Sequence, residues 1–199
     1  MNSHRNTGTE NINEMNPHFN SSIMNDVNIR TEMHDPTILK HYITGNQKTI
    51  VEFGAGTGFF SKSIAKFNKN YMIISIDRDI SSLRHLRMDV YANINAVNGT
   101  DTSFIKGNTV DVVLLANVFH DIVYENRIYL IEQIKNILKH DGKIIIIDWK
   151  PINSEYGPPL RIRLSPDREV EIMRQSGYLF IESKIISETH YLLLFKNNL

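Results

Sequence analysis

The sequence contains no cysteine. Disulfides, thiolate metal sites and a thiol nucleophile are thereby excluded, no metal site is expected, and the reducing cytoplasm is the expected location. No apolar run approaches the roughly 20 residues of a membrane span. The N-terminus also lacks the apolar core of an export signal, so no membrane partner is expected. Excess charge is missing as well: Lys plus Arg and Asp plus Glu each number 22, a formal net charge of +0. Broad binding of nucleic acid needs a basic face, and none is expected here.

What is present suits one globular domain: 199 residues, 41% hydrophobic and 22% charged. Residues 1–30 are rich in Asn, Ser and Thr and read either as a flexible N-terminal arm or as a lid over a site. Phe19, Ile23 and Val27 fall at helical spacing and are candidate anchors for such a lid. Residues 31–199 read as the domain proper. Asp35-Pro36 starts a helix that stops at Gly45. Strands over 49–53, 71–76, 94–97, 110–116 and 143–147 then alternate with helices over 58–67, 80–90 and 124–139, the last stopping at Asp141-Gly142. Ser165 caps a further helix, and residues 179–186 and 191–196 pair as an antiparallel hairpin. The fold expected is α/β: a doubly wound, mostly parallel seven-stranded sheet, helices on both faces, with a C-terminal antiparallel hairpin.

The most informative stretch is Thr49–Phe53 with Gly54, Gly56 and Gly58 after it. A strand, a glycine turn and a helix make a ligand cradle, because glycine admits close backbone approach and the helix start offers free N–H groups. No Gly-Lys-Ser/Thr follows, so this is not a P-loop. Phe59 stands where the dinucleotide fingerprint needs glycine or alanine. Glu52, Asp77, Asp101, Asn117, His120 and Asp148 sit at expected strand ends, the edge at which open α/β sheets bind ligands.

Taken together, E-F-G-A-G-T-G (52–58), I-S-I-D (74–77), V-D-V-V-L-L-A-N-V-F-H-D (110–121) and L-K-H-D-G-K-I-I-I-I-D-W (138–149) resemble, in order, the motifs of class I, Rossmann-like S-adenosylmethionine-dependent methyltransferases. The Gly157-Pro158-Pro159 loop, the Ser165-Pro166-Asp167 helix and the hairpin resemble the small bacterial and archaeal members. The resemblance implies S-adenosyl-L-methionine as cofactor, S-adenosyl-L-homocysteine as product, and a methyl acceptor as substrate. It implies that Glu52 and the backbone of Gly54, Ala55 and Gly56 face the methionine portion. Asp77 would accept both ribose hydroxyls, or else cap the helix after it. Arg78 would lie on the adenine, Gly99 and Thr100 on its other side, and Ala116 and Asn117 at the amino-acid end. Many relatives carry an acid at the Gly99 or Thr100 position; here either Asp101 substitutes or only a backbone contact remains. His120, with Asp121 to orient it, is the candidate general base for a hydroxyl acceptor, with pocket lining as its other reading. Trp149, Lys150, Tyr156, Arg161 and Arg163 either shape the acceptor pocket or belong to a solvated loop. The loop after the fourth strand lacks the Asn/Asp-Pro-Pro-aromatic signature of base and amide methylation, which favours a small-molecule acceptor. A monomer or homodimer is expected. The alternatives are an NAD(P)-dependent oxidoreductase, which Phe59 opposes, and a non-catalytic S-adenosylmethionine-binding module.

Overall fold

The computed structural model describes residues 26–198, so Phe19, Ile23 and most of the expected arm lie outside the described residues. Seven strands form one sheet: β1 (Thr49–Phe53), β2 (Met72–Asp77), β3 (Ile94–Asn98), β4 (Val110–Ala116), β5 (Leu138–Trp149), β6 (Leu179–Ile185) and β7 (His190–Lys196). Their order is β3-β2-β1-β4-β5-β7-β6. The first five run parallel, and β7 is antiparallel to both β5 and β6. Helices α1 (Val27–Met33), α2 (Phe59–Phe67), α3 (Ile80–Met88), α4 (Tyr124–Ile137) and α5 (Pro166–Gln175) cover it.

The near-continuous apolar strands reflect burial on both faces. On one face Val51, Val113, Leu115 and Ile146 pack with Ile131 and Ile134 of α4 and Ile172 and Met173 of α5. On the other, Ile50, Leu114, Ile145 and Leu192 pack with Leu39 and with Phe60 and Ile64 of α2. Ser165 caps α5 by accepting from the Arg168 N–H, as its sequence position suggests.

Three boundaries differ from expectation. The segment after Asp35 is a 3₁₀ helix, Pro36–His41. α3 stops at Met88, leaving Val90 fully exposed instead of on its apolar side. α4 ends at Ile137 rather than at Asp141-Gly142, and β5 starts at once with Leu138 opposite Val110. Asn197 supplies the reason: its side-chain amide donates to the Lys139 carbonyl at 3.1 Å and its backbone N–H to Gly142 at 2.9 Å. Those bonds tie residues 139–142 to the end of β7 as a bulge in β5, whose pairing with β4 jumps from Val110–Leu138 to Val112–Lys143.

Candidate active site

The glycine turn joins β1 to α2. Gly54, Gly56 and Gly58 all have left-handed φ, of 66°, 55° and 83°. A Cβ on Gly54 would meet Val118 at 2.1 Å, whereas one on Gly56 would meet nothing within 4 Å. Gly54 is thus required by packing, and Gly56 borders open space. The Gly56 N–H donates to Asp77 Oδ2 at 2.7 Å, and the Asp79 N–H to Oδ1 at 2.8 Å. Each carboxylate oxygen keeps a second lone pair for a ligand. Helix α3 is capped by Asp79, which accepts from the Ser81 and Ser82 N–H groups, so Asp77 is not its cap.

Beside this turn lies a cavity of about 600 Å³, inside the range of small-molecule sites. Gly54, Asp77, Arg78, Gly99, Thr100 and Asp121 are among its walls, with Val118 and Tyr129. The left-handed cradle at Gly56, the lone pairs of Asp77 and this volume fit an adenosine-bearing ligand.

A buried dyad stands at the next strand tips. His120 Nδ1 lies 2.5 Å from Asp148 Oδ1, and the His120 N–H donates to Asp148 Oδ2 at 3.1 Å. Trp149 N–H adds a third bond to Asp148, at 2.8 Å. Burial opposes protonation of His120, but the Asp148 hydrogen bond and charge, aided by Asp121, outweigh it and raise its pKa. Asp121 reaches the other ring nitrogen, Nε2, at 3.3 Å and is half-exposed. Beneath Asp148, Glu169 is fully buried; burial, then the Asp148 charge, push its pKa well up.

A family model for a methyltransferase domain matches residues 51–144. That stretch of the chain is similar to a methyltransferase domain. Over 127 residues it is 24% identical to an uncharacterised methyltransferase of Alkaliphilus oremlandii, covering 64% of this chain and 57% of that protein. Over 132 residues it is 25% identical to norreticuline-7-O-methyltransferase of Papaver somniferum, covering 65% of this chain and 34% of that protein. A solved structure from Sulfolobus solfataricus, described as a type 11 methyltransferase, shares the fold with a TM-score of 0.72 and 28% identity, over 84% of this chain and 94% of that one. The dinucleotide-oxidoreductase alternative finds no support: its sheet order is 3-2-1-4-5-6, without the antiparallel β7 inserted here.

The fold does not bring every candidate residue to the cavity. Glu52, Ala55, Gly56, Ala116, Asn117 and His120 are not among its walls. Ala55 and Ala116 are packed into the core. Glu52 is buried and accepts from the Ser61 hydroxyl. Burial raises its pKa to about 7, against the pull of Ser61 and of the Arg30 charge. Asn117 takes a left-handed φ of 57°, with its side-chain amide buried and without a hydrogen-bond partner among the described residues. Arg163 is not in a solvated loop: it is buried and donates to the Pro158, Lys150, Ile152 and Tyr156 carbonyls, so it is a strut of the 151–166 loop.

Sequence reasoning missed the closest partner of His120. Asp148 was visible as an acid at a strand end, but its pairing with His120 depends on β4 and β5 being neighbours. It also missed Arg30, His34 and His190, which carry no motif. Arg30 stacks 4.3 Å from the Phe59 ring centroid, and His34 contacts Phe59, Phe60 and His190. Helix α1 therefore sits on the carboxyl edge of the sheet, beside the glycine turn.

Proposed function

We propose that this chain transfers the methyl group of S-adenosylmethionine to a hydroxyl oxygen of a small-molecule acceptor, in a reducing compartment such as the cytoplasm. The His120–Asp148 pair carries this reading. A hydroxyl must lose its proton as it attacks, and an imidazole held at Nδ1 by Asp148 can receive it at Nε2 once the proton that Nε2 shares with Asp121, 3.3 Å away, has left. The name of the poppy relative, an O-methyltransferase, supports the same acceptor atom.

Asp77 would hold the ribose, with Arg78, Gly99 and Thr100 about the adenine. Gly54, Ala55, Gly56, Glu52, Ala116 and Asn117 would surround the methionine portion, mainly through backbone groups. When bound, the cofactor supplies a sulfonium methyl that is already electrophilic, so the protein's task is alignment, water exclusion and removal of the acceptor proton. Asp148 stabilises the imidazolium that forms at His120, and Asp121 steadies the ring from the Nε2 side.

The test combines calorimetry with transfer of labelled methyl to a panel of phenols and alcohols. The wild type is expected to bind S-adenosylhomocysteine and not NAD. His120→Ala should keep that affinity while turnover falls by roughly 10²–10⁴-fold. Turnover of the wild type should rise with pH through a midpoint above the ordinary imidazole value of about 6.5. Full turnover in His120→Ala would remove the general-base role, and absence of S-adenosylhomocysteine binding would remove the reading as a whole.

A further inference from the structure

Asp148, which holds His120, has a second acid beside it. Asp148 lies directly opposite Tyr191 in the pairing of β5 with β7, so their side chains share one sheet face. Ile146 and Leu193 continue that face, and α5 packs on it through Ile172 and Met173. Glu169 stands three and four residues before these two on the same helix, which brings its carboxyl down onto Asp148 and Tyr191. Glu169 is 0% exposed and Asp148 1%. Two carboxyl groups therefore share one closed space.

Their hydrogen bonds distinguish them. Asp148 Oδ1 accepts from the Trp149 N–H and faces His120 Nδ1, and Oδ2 accepts from the His120 N–H. One lone pair of Oδ2 stays open. Neither carboxyl oxygen of Glu169 receives a hydrogen bond from a donor among the described residues. The Tyr191 hydroxyl donates to the Leu164 carbonyl at 3.2 Å instead. Arg127 is the cation that faces both acids, but its Nε and Nη2 donate to the Phe119 and Ile122 carbonyls. A buried carboxylate without donors is costly. A carboxylic acid is not, and it supplies the one hydrogen that the open lone pair of Asp148 lacks.

We propose that Glu169 is a positioning residue of this site: it remains a neutral carboxylic acid, donates its hydrogen to Asp148, and so limits how firmly Asp148 holds a proton on His120. Its bearing on turnover rests on the general-base role proposed above. A carboxylate that already accepts a strong hydrogen bond from behind pulls less on the imidazole in front. Without that bond Asp148 would keep His120 charged to higher pH, and a charged imidazole takes no proton from an acceptor. Burial and the Asp148 charge both favour the neutral form of Glu169. The other charged or titratable groups facing this chain of residues are Asp121, Arg163 and His190 around His120, and Arg168 and Tyr124 around Arg127. The substitutions below leave all of them in place.

Glu169→Gln and Glu169→Leu test the assignment, with His120 followed by NMR titration and turnover by transfer of labelled methyl. Glutamine still donates to Asp148 and carries no charge, so the His120 midpoint is expected to stay where the wild type has it. Leucine removes the donor, and the midpoint is expected about one pH unit higher. Below both midpoints turnover of the leucine variant is then about tenfold lower, and it recovers at high pH, which damage to the fold would not allow. An infrared difference spectrum of wild type against Glu169→Gln needs only the isosteric variant, should leucine prevent folding. Taken at pH 8, above the value of about 7 for Glu52, it is expected to show the carbonyl stretch of a protonated carboxylic acid in the wild type. Absence of that band overturns the proposal. So does a lower His120 midpoint in Glu169→Gln, the mark of an ionised Glu169, and so does an unchanged midpoint in Glu169→Leu. Full turnover in His120→Ala, with these shifts intact, would remove the general-base role and leave the Glu169–Asp148 bond standing.

Discussion

Replacing Glu52 by glutamine is expected to change how stability depends on pH, and the direction follows from its burial. Glu52 is wholly enclosed, and its pKa rises from 4.5 to about 7, first because burial penalises the carboxylate and despite the Ser61 hydrogen bond. In the unfolded chain the same group ionises near its ordinary value. Between those two values the folded state holds a proton that the unfolded state has released, so stability falls as pH rises from about 4.5 to 7. At ~1.4 kcal/mol per pH unit the whole penalty is about 3 kcal/mol, of which about 2.5 kcal/mol develops between pH 5 and pH 8. Glutamine has nearly the same shape and can still accept from Ser61, but it does not ionise. Urea unfolding of wild type and Glu52→Gln at both pH values isolates this contribution, since any constant effect of the substitution cancels. The variant should gain on the wild type by about 2–3 kcal/mol on going from pH 5 to pH 8, a relative midpoint shift of roughly 1 M urea. Parallel pH dependences in the two proteins would refute the argument and place the Glu52 pKa near its ordinary value.

Asp77→Ala should weaken S-adenosylhomocysteine binding by about 2–3 kcal/mol, the loss of a charged hydrogen-bond pair, and unchanged affinity by calorimetry would reject the ribose role. Gly54→Ala and Gly56→Ala should separate packing from ligand space. Because of the Val118 contact, the first should lower thermal stability by roughly 2 kcal/mol or more, and the second, with open space ahead of it, by about 1 kcal/mol while reducing cofactor affinity. Asp148→Asn removes the charge that outweighs burial at His120; the imidazole pKa should fall below its ordinary value, followed by NMR titration, and turnover should drop about 10–100-fold.

The order of elements was readable because strand and helix each leave a local signature. Val110–Ala116 is apolar throughout, as a strand covered on both faces must be, and the Ser165-Pro166 helix start is a local matter of capping. The end of α4 was misread because Asp141-Gly142 has the local chemistry of a stop. The bonds that override it come from Asn197, more than fifty residues away in sequence. The site divides in the same way. Asp77 and the three glycines could be picked out because a cofactor cradle is built from neighbouring residues. The His120–Asp148 pair was half legible: each residue stood out at a strand end, while their contact depends on strand order. Arg30, His34 and His190 could not be read at all, because single residues on α1 and β7 acquire a role only when tertiary packing stacks them.

The position of β7 bears on how the chain is made. β7 lies between β5 and β6 yet follows both in sequence. During synthesis the outer edge of β5, with Ile144, Ile145, Ile146 and Ile147 in succession, has no hydrogen-bonding neighbour until residues 190–196 leave the ribosome. An unpaired isoleucine-rich edge invites association with other chains. β6 cannot cover it in the native arrangement, since β6 pairs with β7 alone. Nascent chains arrested before residue 190 should therefore be the species most in need of a chaperone, and His190 would reach its place in the same step that closes this edge.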